Sequence, residues 1–441
     1  MSFPFIRKHT PTVSFCESGT SAPRIKYAGV LFVRFFIMHR HRKRKDYPMR
    51  TVNGLYSSAK IFTTTNTETA IDDYAIAQLQ LLCDNEASAG CTIRVMPDVH
   101  PGKVGTIGLT MTVGERILPN LVGIDIGCGM TLAELKNSKI EYQKLDTVIR
   151  DNIPSGFAIR NKVHRFAEDF DFTKLCCHKS IRKEKALLSL GSLGGGNHFI
   201  EADRDENGTL FVVIHSGSRH LGKEVTEYYL NEGQKALKAR GLDIPYELTW
   251  LEGSLMSDYL HDLQVVQEFA ILNREIILDE LVKGMKWKVV DSYSCIHNYI
   301  EAAQINNSCE HADTNFSTPA FSKTPILRKG AISANLGERV IIPINMKDGI
   351  LLGTGLGNED WNCSAPHGAG RIMKREDVKQ RFTLSSYKAE MKGIYSSCIN
   401  KDTLDEAPFA YRSLNDIAET IKDTVTITNI LRPVYNFKAG N

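Results

Sequence analysis

The sequence lacks a hydrophobic run long enough to span a membrane and a cysteine spacing typical of a disulfide framework. The apolar run AGVLFVRFFIM (28–38) contains Arg34 and has only eleven residues, whereas a membrane-spanning helix needs about 20. The ten cysteines are scattered along the chain, and no secretory signal with a small-residue cleavage site precedes them. We therefore expect reduced thiols in a cytoplasmic protein that has no membrane association.

Two common phosphate-binding patterns are also missing. The sequence has no GxxxxGK[ST] loop and no GxGxxG that opens a helix after a strand, which excludes the nucleotide sites built on those loops. No linker, repeat or low-complexity tract divides the chain after Met49. With a hydrophobic content of 42% and a charged content of 24%, residues 49–441 are expected to form one large α+β domain.

Charge is distributed unevenly along the chain. Residues 1–48 contain ten Lys/Arg and two acids, although the whole chain has a net charge of only +3. This basic N-terminal extension has two interpretations. It is an arm that binds RNA phosphates, or it is a disordered, dispensable segment, such as an upstream region included by a mistaken start site. In the second case the folded domain begins at Met49, and GLYSSAKIF (54–62) indicates an opening strand.

Hydrophobic periodicity predicts amphipathic helices over 69–83 and about 255–283. The polar stretch between His297 and Lys329 predicts a surface loop. Short β-rich runs that end in glycine, proline or asparagine predict strands at 106–113, 210–217 and 339–345.

Five glycine-rich turns contain most of the reactive side chains. Glycine permits positive φ and close backbone approach, and successive amide N–H groups in such turns can bind an anion. The turns are MPDVHPGK (96–103), GIDIGCGM (123–130), SLGGGNHFIE (192–201), HSGSRHLG (215–222) and SAPHGAGR (364–371).

Residues of metal-ligand type recur in these turns and in the segment HNY (297–299). Asp125 and Cys128 share one turn, and a carboxylate beside a thiol disfavours the thiolate unless a cation is present. A divalent ion favours both anionic forms, and a thiolate between two ions could bridge them. The donor set suits zinc, cobalt or iron at least as well as manganese. The candidate ligands are Asp125, Cys128, His198, His215 and His297.

The turn SAPHGAGR presents His367 with little steric cover, between a proline and two glycines. Arg371 follows closely and can neutralise phosphate charge. Such a histidine could be a sixth metal ligand, a general base, or a nucleophile that takes a phosphoryl or nucleotidyl group. The spacing leaves all three roles open.

Taken together and in this order, these motifs resemble those of the RtcB family of RNA ligases, over about residues 49–441. The resemblance implies an RtcB-type fold, with mixed β-sheets flanked by helices in a single catalytic domain. It also implies an enzyme that uses GTP and two Mn²⁺ ions to join RNA 3′-phosphate or 2′,3′-cyclic phosphate ends to 5′-hydroxyl ends. Its task would be RNA repair or tRNA splicing, and we expect a monomer.

The resemblance assigns roles to individual residues. Cys128 would bridge the two manganese ions. The other ligands form one pair for each ion, Asp125 with His198 and His215 with His297. His367 matches the histidine that becomes guanylylated, and Asp98 is a candidate to orient its imidazole. The residues that match nucleotide-binding segments are Asn197, His198, Phe199, Ile200, Glu201, His297, Asn298, Pro343, Ile344, Asn345, Met346, His367, Gly368, Ala369, Gly370 and Lys438.

The implied mechanism begins with attack of His367 on the α-phosphate of GTP. The RNA 3′-phosphate then takes GMP from the histidine, and the 5′-hydroxyl attacks the resulting RNA(3′)pp(5′)G end and expels GMP. Glu201 is suited to accept hydrogen bonds from the guanine edge. Candidate phosphate contacts are Lys103, Arg219, Lys329 and Arg371.

Two other classes of function remain as alternatives. A metal-dependent RNA phosphodiesterase would use the same ligands, and a non-catalytic protein would only bind nucleotide or RNA. His220 and His311 match no ligand of the family, so both are expected to be structural or surface residues.

Overall fold

The fold is organised by two β-sheets that pack against one long helix. The computed structural model describes residues 49–63, 71–136, 139–301 and 324–438. The basic segment 1–48 and most of the predicted polar loop lie outside the described residues.

The strands alternate with helices along the chain rather than forming separate blocks. They are β1 (Met49–Asn53), β2 (Ser58–Phe62), β3 (Ile93–His100), β4 (Ile107–Thr112), β5 (Arg116–Ile117), β6 (Gly129–Leu135), β7 (Phe199–Arg204), β8 (Leu210–Ser216), β9 (Leu251–Glu252), β10 (Val289–Ile296), β11 (Asn298–Ile300), β12 (Ile326–Lys329), β13 (Ala331–Ser333), β14 (Arg339–Asn345), β15 (Gly349–Gly355), β16 (Ser364–Pro366) and β17 (Val425–Lys438). The α-helices are α1 (Asp73–Cys83), α2 (Pro119–Val122), α3 (Tyr142–Asn152), α4 (Lys183–Ser189), α5 (Arg219–Ala239), α6 (Gly253–Met285), α7 (Arg375–Arg381), α8 (Leu384–Glu390) and α9 (Leu414–Thr420).

Most strands belong to two sheets. A six-stranded sheet has the order β1-β2-β3-β4-β12-β11, and a seven-stranded sheet has the order β10-β6-β8-β7-β17-β15-β14. All neighbours in the seven-stranded sheet are antiparallel, whereas β2 and β3 of the other sheet are parallel. The strands β13 and β16 form a short separate ladder. Mixed sheets flanked by helices in one domain confirm the predicted α+β class.

The long helix α6 packs against both sheets because its apolar residues lie on more than one side. Ile277 and Leu281 belong to the core under the seven-stranded sheet. Val266 and Phe269 belong to a second core, which includes the six-stranded sheet. The prediction of a helix over about 255–283 is confirmed, with two more residues at each end.

The other local predictions are mostly confirmed. The predicted strands correspond to β4, β8 and β14. The predicted helix at 69–83 begins at Asp73, where the side chain of Asp72 caps the first turn by accepting the Tyr74 N–H. The predicted opening strand at 54–62 is confirmed over 58–62, which form β2, but a first strand, β1, precedes it. Gly54 donates to the Ser57 carbonyl in a turn, and β1 and β2 pair on either side of it.

The predicted loop between His297 and Lys329 contains a strand at each end. Its first and last residues form β11 and β12, which pair with each other at the edge of the six-stranded sheet. Residues 302–323 lie outside the described residues. Among the helices that the structure describes, none is both long enough and apolar enough to cross a bilayer.

Candidate active site

One face of the seven-stranded sheet places four side chains in a row, three of which are candidate site residues. Met130 pairs with His215, His215 with Phe199, and Phe199 with Lys438. Directly opposed residues on neighbouring strands point to the same face. The register of β6, β8, β7 and β17 therefore brings together residues that are far apart in the sequence.

The turn before β6 presents Asp125 and Cys128 on the same side. Gly127 has φ +70°, a conformation that favours glycine, and the Cys128 N–H donates to the Asp125 carbonyl at 3.1 Å. Gly217, at the end of β8, lies against the Asp125 carboxylate. A Cβ atom there would come within 2.0 Å of the carboxylate oxygen, so the close approach requires glycine.

His297 is fixed to this turn by backbone hydrogen bonds. Its N–H donates to the Cys128 carbonyl at 2.8 Å, and its own carbonyl accepts the Gly330 N–H at 2.8 Å. The end of β10 and the end of β12 therefore meet at the turn that contains the candidate bridging thiol.

The five candidate ligands form two groups that share Cys128. One group contains Asp125, Cys128 and His198, and the other contains Cys128, His215 and His297. The Cys128 Sγ lies 3.4 Å from His198 Nε2 and 3.3 Å from His215 Nε2. His198 Nε2 is 3.1 Å from an Asp125 oxygen, and the Nε2 atoms of His215 and His297 are 3.3 Å apart.

The hydrogen bonds around the imidazoles are those of metal ligands. His198 Nδ1 is 2.8 Å from the Leu193 carbonyl and His215 Nδ1 is 3.0 Å from the Asn197 carbonyl. A carbonyl can only accept, so the proton lies on Nδ1 and the Nε2 lone pair points into the cluster. Nitrogen lone pairs that converge in this way repel one another unless a cation lies between them. Hydrogen bonds from Nδ1 to a backbone carbonyl also commonly orient histidines that bind metals. The donor set therefore fits a divalent metal.

Without a metal, the surroundings disfavour the thiolate of Cys128, whereas they favour the metal-binding forms of Asp125, His215 and His297. Burial, together with the Asp125 carboxylate, raises the pKa of Cys128 far above its usual value. Burial also lowers the pKa of His215 and His297, which keeps both imidazoles neutral. For Asp125, burial alone would raise the pKa, but the hydrogen bonds and the positive charge in its surroundings, which include Cys128 and Arg219, lower it. A divalent ion would convert the thiol to a thiolate.

His367 lies next to this cluster without belonging to either ligand group. Its ring centroid is 4.9 Å from that of His297. An Asp98 oxygen is 2.7 Å from His367 Nδ1 and also accepts the His367 N–H at 3.1 Å. Asp98 is fully buried in β3, whereas the His367 side chain is 16% exposed. The six-stranded sheet thus supplies the Asp98 carboxylate, which orients the His367 imidazole. This contact is made by Nδ1, so it does not involve Nε2.

A cavity of about 860 Å³, open mouth included, extends from His367 along the row of side chains. Most residues assigned to nucleotide-binding segments line it, namely Asn197, Phe199, Glu201, Pro343, Ile344, Asn345, Met346, His367, Gly368, Ala369, Gly370 and Lys438.

Four residues of that assignment do not line the cavity. His198 and His297 lie in the metal-ligand groups. The Ile200 side chain belongs to the core on the opposite face of β7, because neighbouring residues of a strand alternate between faces. Asn298 braces the backbone instead, with its amide oxygen accepting the Gly330 N–H at 2.9 Å.

The candidate phosphate contacts differ in their surroundings. Arg371 lines the cavity, and the Arg219 guanidinium lies against Gly194 and thus beside His198. Lys329 is buried, which lowers its pKa to about 8, and its Nζ donates to a backbone carbonyl at 3.2 Å. Lys103 is exposed.

Other histidines and potential ligands have structural contacts. His220 Nε2 is 2.9 Å from a Glu224 oxygen, one turn along α5, and His311 lies outside the described residues. Cys176, His261 and Asp262 form a further group of metal-ligand types. Asp262 already accepts the backbone N–H groups of Cys176 and Cys177 and a tyrosine hydroxyl, so its carboxylate braces this turn.

Two buried residues of α6 support the site, and the sequence analysis did not identify them. Arg274 donates to the carbonyls of Gly127 and Ser216 at 2.9 and 2.8 Å. Asn273 donates to the carbonyls of Ser192 and Gly217 at 3.2 and 3.1 Å. The sequence did contain a signal, namely two polar residues within an apolar helical run. Buried polar side chains need hydrogen-bond partners, so these two residues were candidates for structural contacts.

An ion-pair network at the cavity wall was also missed. Glu406 contacts Lys438 and Arg375 and accepts the Tyr411 hydroxyl at 2.5 Å. Burial by itself would raise the pKa of Glu406, but these cations and Arg371 lower it to about 2. The network holds the Lys438 ammonium at the cavity. No motif marks Glu406, so its role follows only from the three-dimensional arrangement.

The chain is similar to known proteins over most of its length. A family model described as tRNA-splicing ligase RtcB matches residues 85–439. The chain belongs to the RtcB family. All five candidate ligands, His367, Asp98 and Lys438 lie within the matched residues, whereas β1, β2 and α1 precede them.

Curated relatives agree with the family match. The chain is 30% identical over 382 residues to RNA-splicing ligase RtcB of Escherichia coli strain K12, covering 78% of this chain and 90% of that relative. It is 27% identical over 417 residues to tRNA-splicing ligase RtcB of Aeropyrum pernix, covering 74% and 83%. The expected RtcB-type fold is therefore confirmed.

Proposed function

We propose that the chain is a GTP-dependent RNA ligase that joins 3′-phosphate or 2′,3′-cyclic phosphate ends to 5′-hydroxyl ends through a guanylylated His367. The position of His367 carries this proposal. Its ring lies 4.9 Å from that of His297 in the candidate metal cluster, and it lines the cavity that Glu201 and Lys438 also line. A nucleophile, a charge-neutralising site and a cavity for the nucleotide are the three components that nucleotidyl transfer requires.

His367 is suited to act as the nucleophile. With the proton on Nδ1 and donated to Asp98, the Nε2 lone pair is available to attack the α-phosphate of GTP. The Nε2–P bond forms as the bond to the β-phosphate oxygen breaks and pyrophosphate leaves. The positive charge that develops on the imidazole is stabilised by the Asp98 carboxylate, as in other carboxylate–histidine pairs.

Guanine is assigned to the end of the cavity that contains Glu201 and Lys438. Guanine offers two adjacent donors, N1–H and the 2-amino group, and an ionised carboxylate is an acceptor-only group that matches them. Asn436 donates to Glu201 Oε2 at 2.5 Å, which leaves the other carboxylate oxygen for the base. Phe199 lies between this end and His215 in the row of side chains.

The five candidate ligands would hold two Mn²⁺ ions, and Cys128 belongs to both ligand groups. The family resemblance suggests manganese, and the donor set is compatible with it. Bound there, the ions would neutralise negative charge on phosphate oxygens. The protein residues keep His215 and His297 neutral, fix His198 through Nδ1, and orient Asp125 against Gly217.

The second half of the reaction uses the same centre. An oxygen of the RNA 3′-phosphate attacks the phosphorus of guanylylated His367, and Nε2 leaves with its electron pair. The RNA 5′-hydroxyl then attacks the 3′-phosphate, loses its proton, and expels GMP. Arg219 and Arg371 lie at the cluster and at the cavity, where they can bind the phosphates of the ends.

Covalent labelling tests the proposal. The protein is incubated with Mn²⁺ and GTP labelled at the α-phosphate and is then run on a denaturing gel, with and without RNA that has a 3′-phosphate. We expect label on the protein that passes to RNA, and sealing when a 5′-hydroxyl end is present. A phosphodiesterase would cut RNA and retain no label. A binding protein would do neither, and either result would overturn the proposal.

A further inference from the structure

A second carboxyl group lies buried beside Glu201. Asp203 follows two residues later on β7, so both side chains point to the same face. Asp203 is 0% exposed. Taken as a carboxylate, neither of its oxygens has a hydrogen-bond partner among the described residues. As a carboxylic acid, Asp203 would have an O–H to donate to Glu201, the ionisable side chain beside it on the same face of β7.

The neighbours of Asp203 supply no positive charge. The residue opposite it on β8 is Phe211, and the residue opposite it on β17 is Pro433. Among the described residues, the only titratable group that acts on Asp203 is Glu201. The surroundings of Glu201 favour its ionised form more, because Asn436 donates a hydrogen bond to it and the positive charge of Lys438 stabilises it. Lys438 itself is held by Glu406.

This asymmetry decides which carboxyl retains a proton. An isolated buried carboxylate is costly enough that the group normally becomes neutral instead. Burial raises the pKa of both groups, and repulsion by Glu201 raises that of Asp203 further. Two adjacent carboxyl groups cannot both ionise easily. The charge therefore resides on Glu201, and the proton on Asp203.

We propose that Asp203 is a positioning residue for guanine recognition, which donates its O–H to Glu201 and so keeps Glu201 ionised as the acceptor for the base. This inference deepens the proposed function and rests on it. A protonated Glu201 would present a donor to guanine N1–H, and the two donors would clash. An ionised Glu201 accepts from guanine and rejects adenine, whose N1 is itself an acceptor.

Two variants separate a neutral Asp203 from a charged one. Asp203→Asn keeps a neutral hydrogen-bond donor, and Asp203→Leu removes both the donor and any charge. Equilibrium binding of GTP and the rate of His367 labelling are measured across pH. We expect Asp203→Asn to follow the wild type within about twofold at neutral pH. We expect Asp203→Leu to raise the pKa of Glu201 and bind GTP about tenfold more weakly near neutrality, with recovery as pH rises.

If Asp203 is charged instead, the two variants should change the affinity for GTP in the opposite direction. Removing its charge in either variant would favour ionisation of Glu201, and GTP binding would tighten at neutral pH. Tighter binding by Asp203→Asn therefore overturns the inference, even if Asp203→Leu does not fold. Asp205→Asn is the matched control, because this partly exposed carboxylate caps the turn after β7 through the N–H groups of Asn207 and Thr209. Its pH profile should remain that of the wild type.

The outcome for the wild type separates this inference from the proposed function. If the wild type takes no label from GTP at any pH, the proposed function fails and the inference fails with it. If the wild type is labelled and the pH profile is the same for wild type and Asp203→Leu, only the role of Asp203 is overturned. Inosine triphosphate, which lacks the 2-amino group, serves as the base control. The wild type should bind it more weakly than GTP, and Glu201→Gln should reduce that difference.

Discussion

The histidines of the candidate site differ in the group that holds Nδ1. Backbone carbonyls hold His198 and His215, and a neutral carbonyl fixes the tautomer without adding charge. The carboxylate of Asp98 holds His367, and a negative charge also stabilises a cation formed on that ring. The first arrangement suits a neutral metal ligand, and the second suits a nucleophile that becomes positively charged when it reacts.

This difference predicts the behaviour of His367→Ala. The variant should bind Mn²⁺ and GTP nearly as the wild type does, because the five candidate ligands lie elsewhere, but it should form no covalent GMP adduct. Sealing of RNA from GTP should fall below detection. RNA that already has GMP on its 3′-phosphate should still be joined to a 5′-hydroxyl. Labelling, metal analysis and sealing assays measure the three properties.

The alternative roles of His367 give other patterns. Were it a metal ligand, metal binding and both chemical steps would decline together. Were it only a general base, some covalent label would remain. Efficient sealing from GTP by His367→Ala would eliminate the nucleophile assignment.

Cys128→Ser tests the shared thiol. A serine hydroxyl is hard to ionise, so the variant replaces a candidate bridging thiolate with a neutral oxygen. We expect Mn²⁺ affinity to fall by at least the roughly 10- to 100-fold that loss of an outer-sphere partner costs, and guanylylation to fall with it. Metal content after dialysis measures the effect. Cys91→Ser is the control, since Cys91 is buried outside both ligand groups, and normal metal content in Cys128→Ser would remove Cys128 from the site.

At the scale of elements, local patterns predicted what depends on local sequence. Helix α6 and strands β4, β8 and β14 follow from periodicity, and the glycine-rich turns predicted where reactive side chains would lie. The partners Asn436, Glu406 and Asp203 were not predicted. Their contacts depend on the register between β7 and β17 and on burial, and neither quantity can be read from a single strand. The predicted opening strand began too early, because a turn at Gly54 separates β1 from β2.

Helix α6 supports the site through Arg274. Substitution of Arg274 should therefore reduce both the stability of the protein and its affinity for metal. Arg274→Met retains an apolar stem but leaves the buried carbonyls of Gly127 and Ser216 without this donor. Each unsatisfied group costs about 1–3 kcal/mol, so we expect the free energy of unfolding to fall by about 3 kcal/mol. Because Gly127 precedes Cys128, Mn²⁺ affinity should fall too. Denaturant unfolding and metal titration measure the two effects.

A surface arginine provides the comparison for Arg274. The Arg240 side chain is 49% exposed at the end of α5 and pairs with Glu252, and such pairs contribute about 0–1 kcal/mol. Arg240→Met should therefore leave metal affinity unchanged and shift stability by less than about 1 kcal/mol. If Arg274→Met had an equally small effect, the backbone at Gly127 and Ser216 would not depend on helix α6 for its position.

At the scale of the whole molecule, the sign of the net charge changes near the residue at which the described part of the chain begins. The described part of the chain begins at Met49, and residues 1–48 have eight more basic than acidic side chains, whereas the remaining residues have five more acidic than basic ones. All proposed catalytic residues lie in the acidic part. RNA binding by that part must therefore use local cations such as Arg219 and Arg371 rather than a favourable net charge.

A protein that begins at Met49 tests whether the basic extension contributes to RNA binding. We expect it to fold, to take label from GTP and to seal RNA with a KM within about twofold of the full chain at moderate salt. Removing one ion pair between the protein and an RNA phosphate would reduce the slope of log affinity against log salt by about 0.7 for single-stranded RNA. An unchanged slope therefore supports a dispensable extension. A KM raised about tenfold and restored at low ionic strength, with GTP labelling unaffected, would instead identify residues 1–48 as an RNA-binding arm.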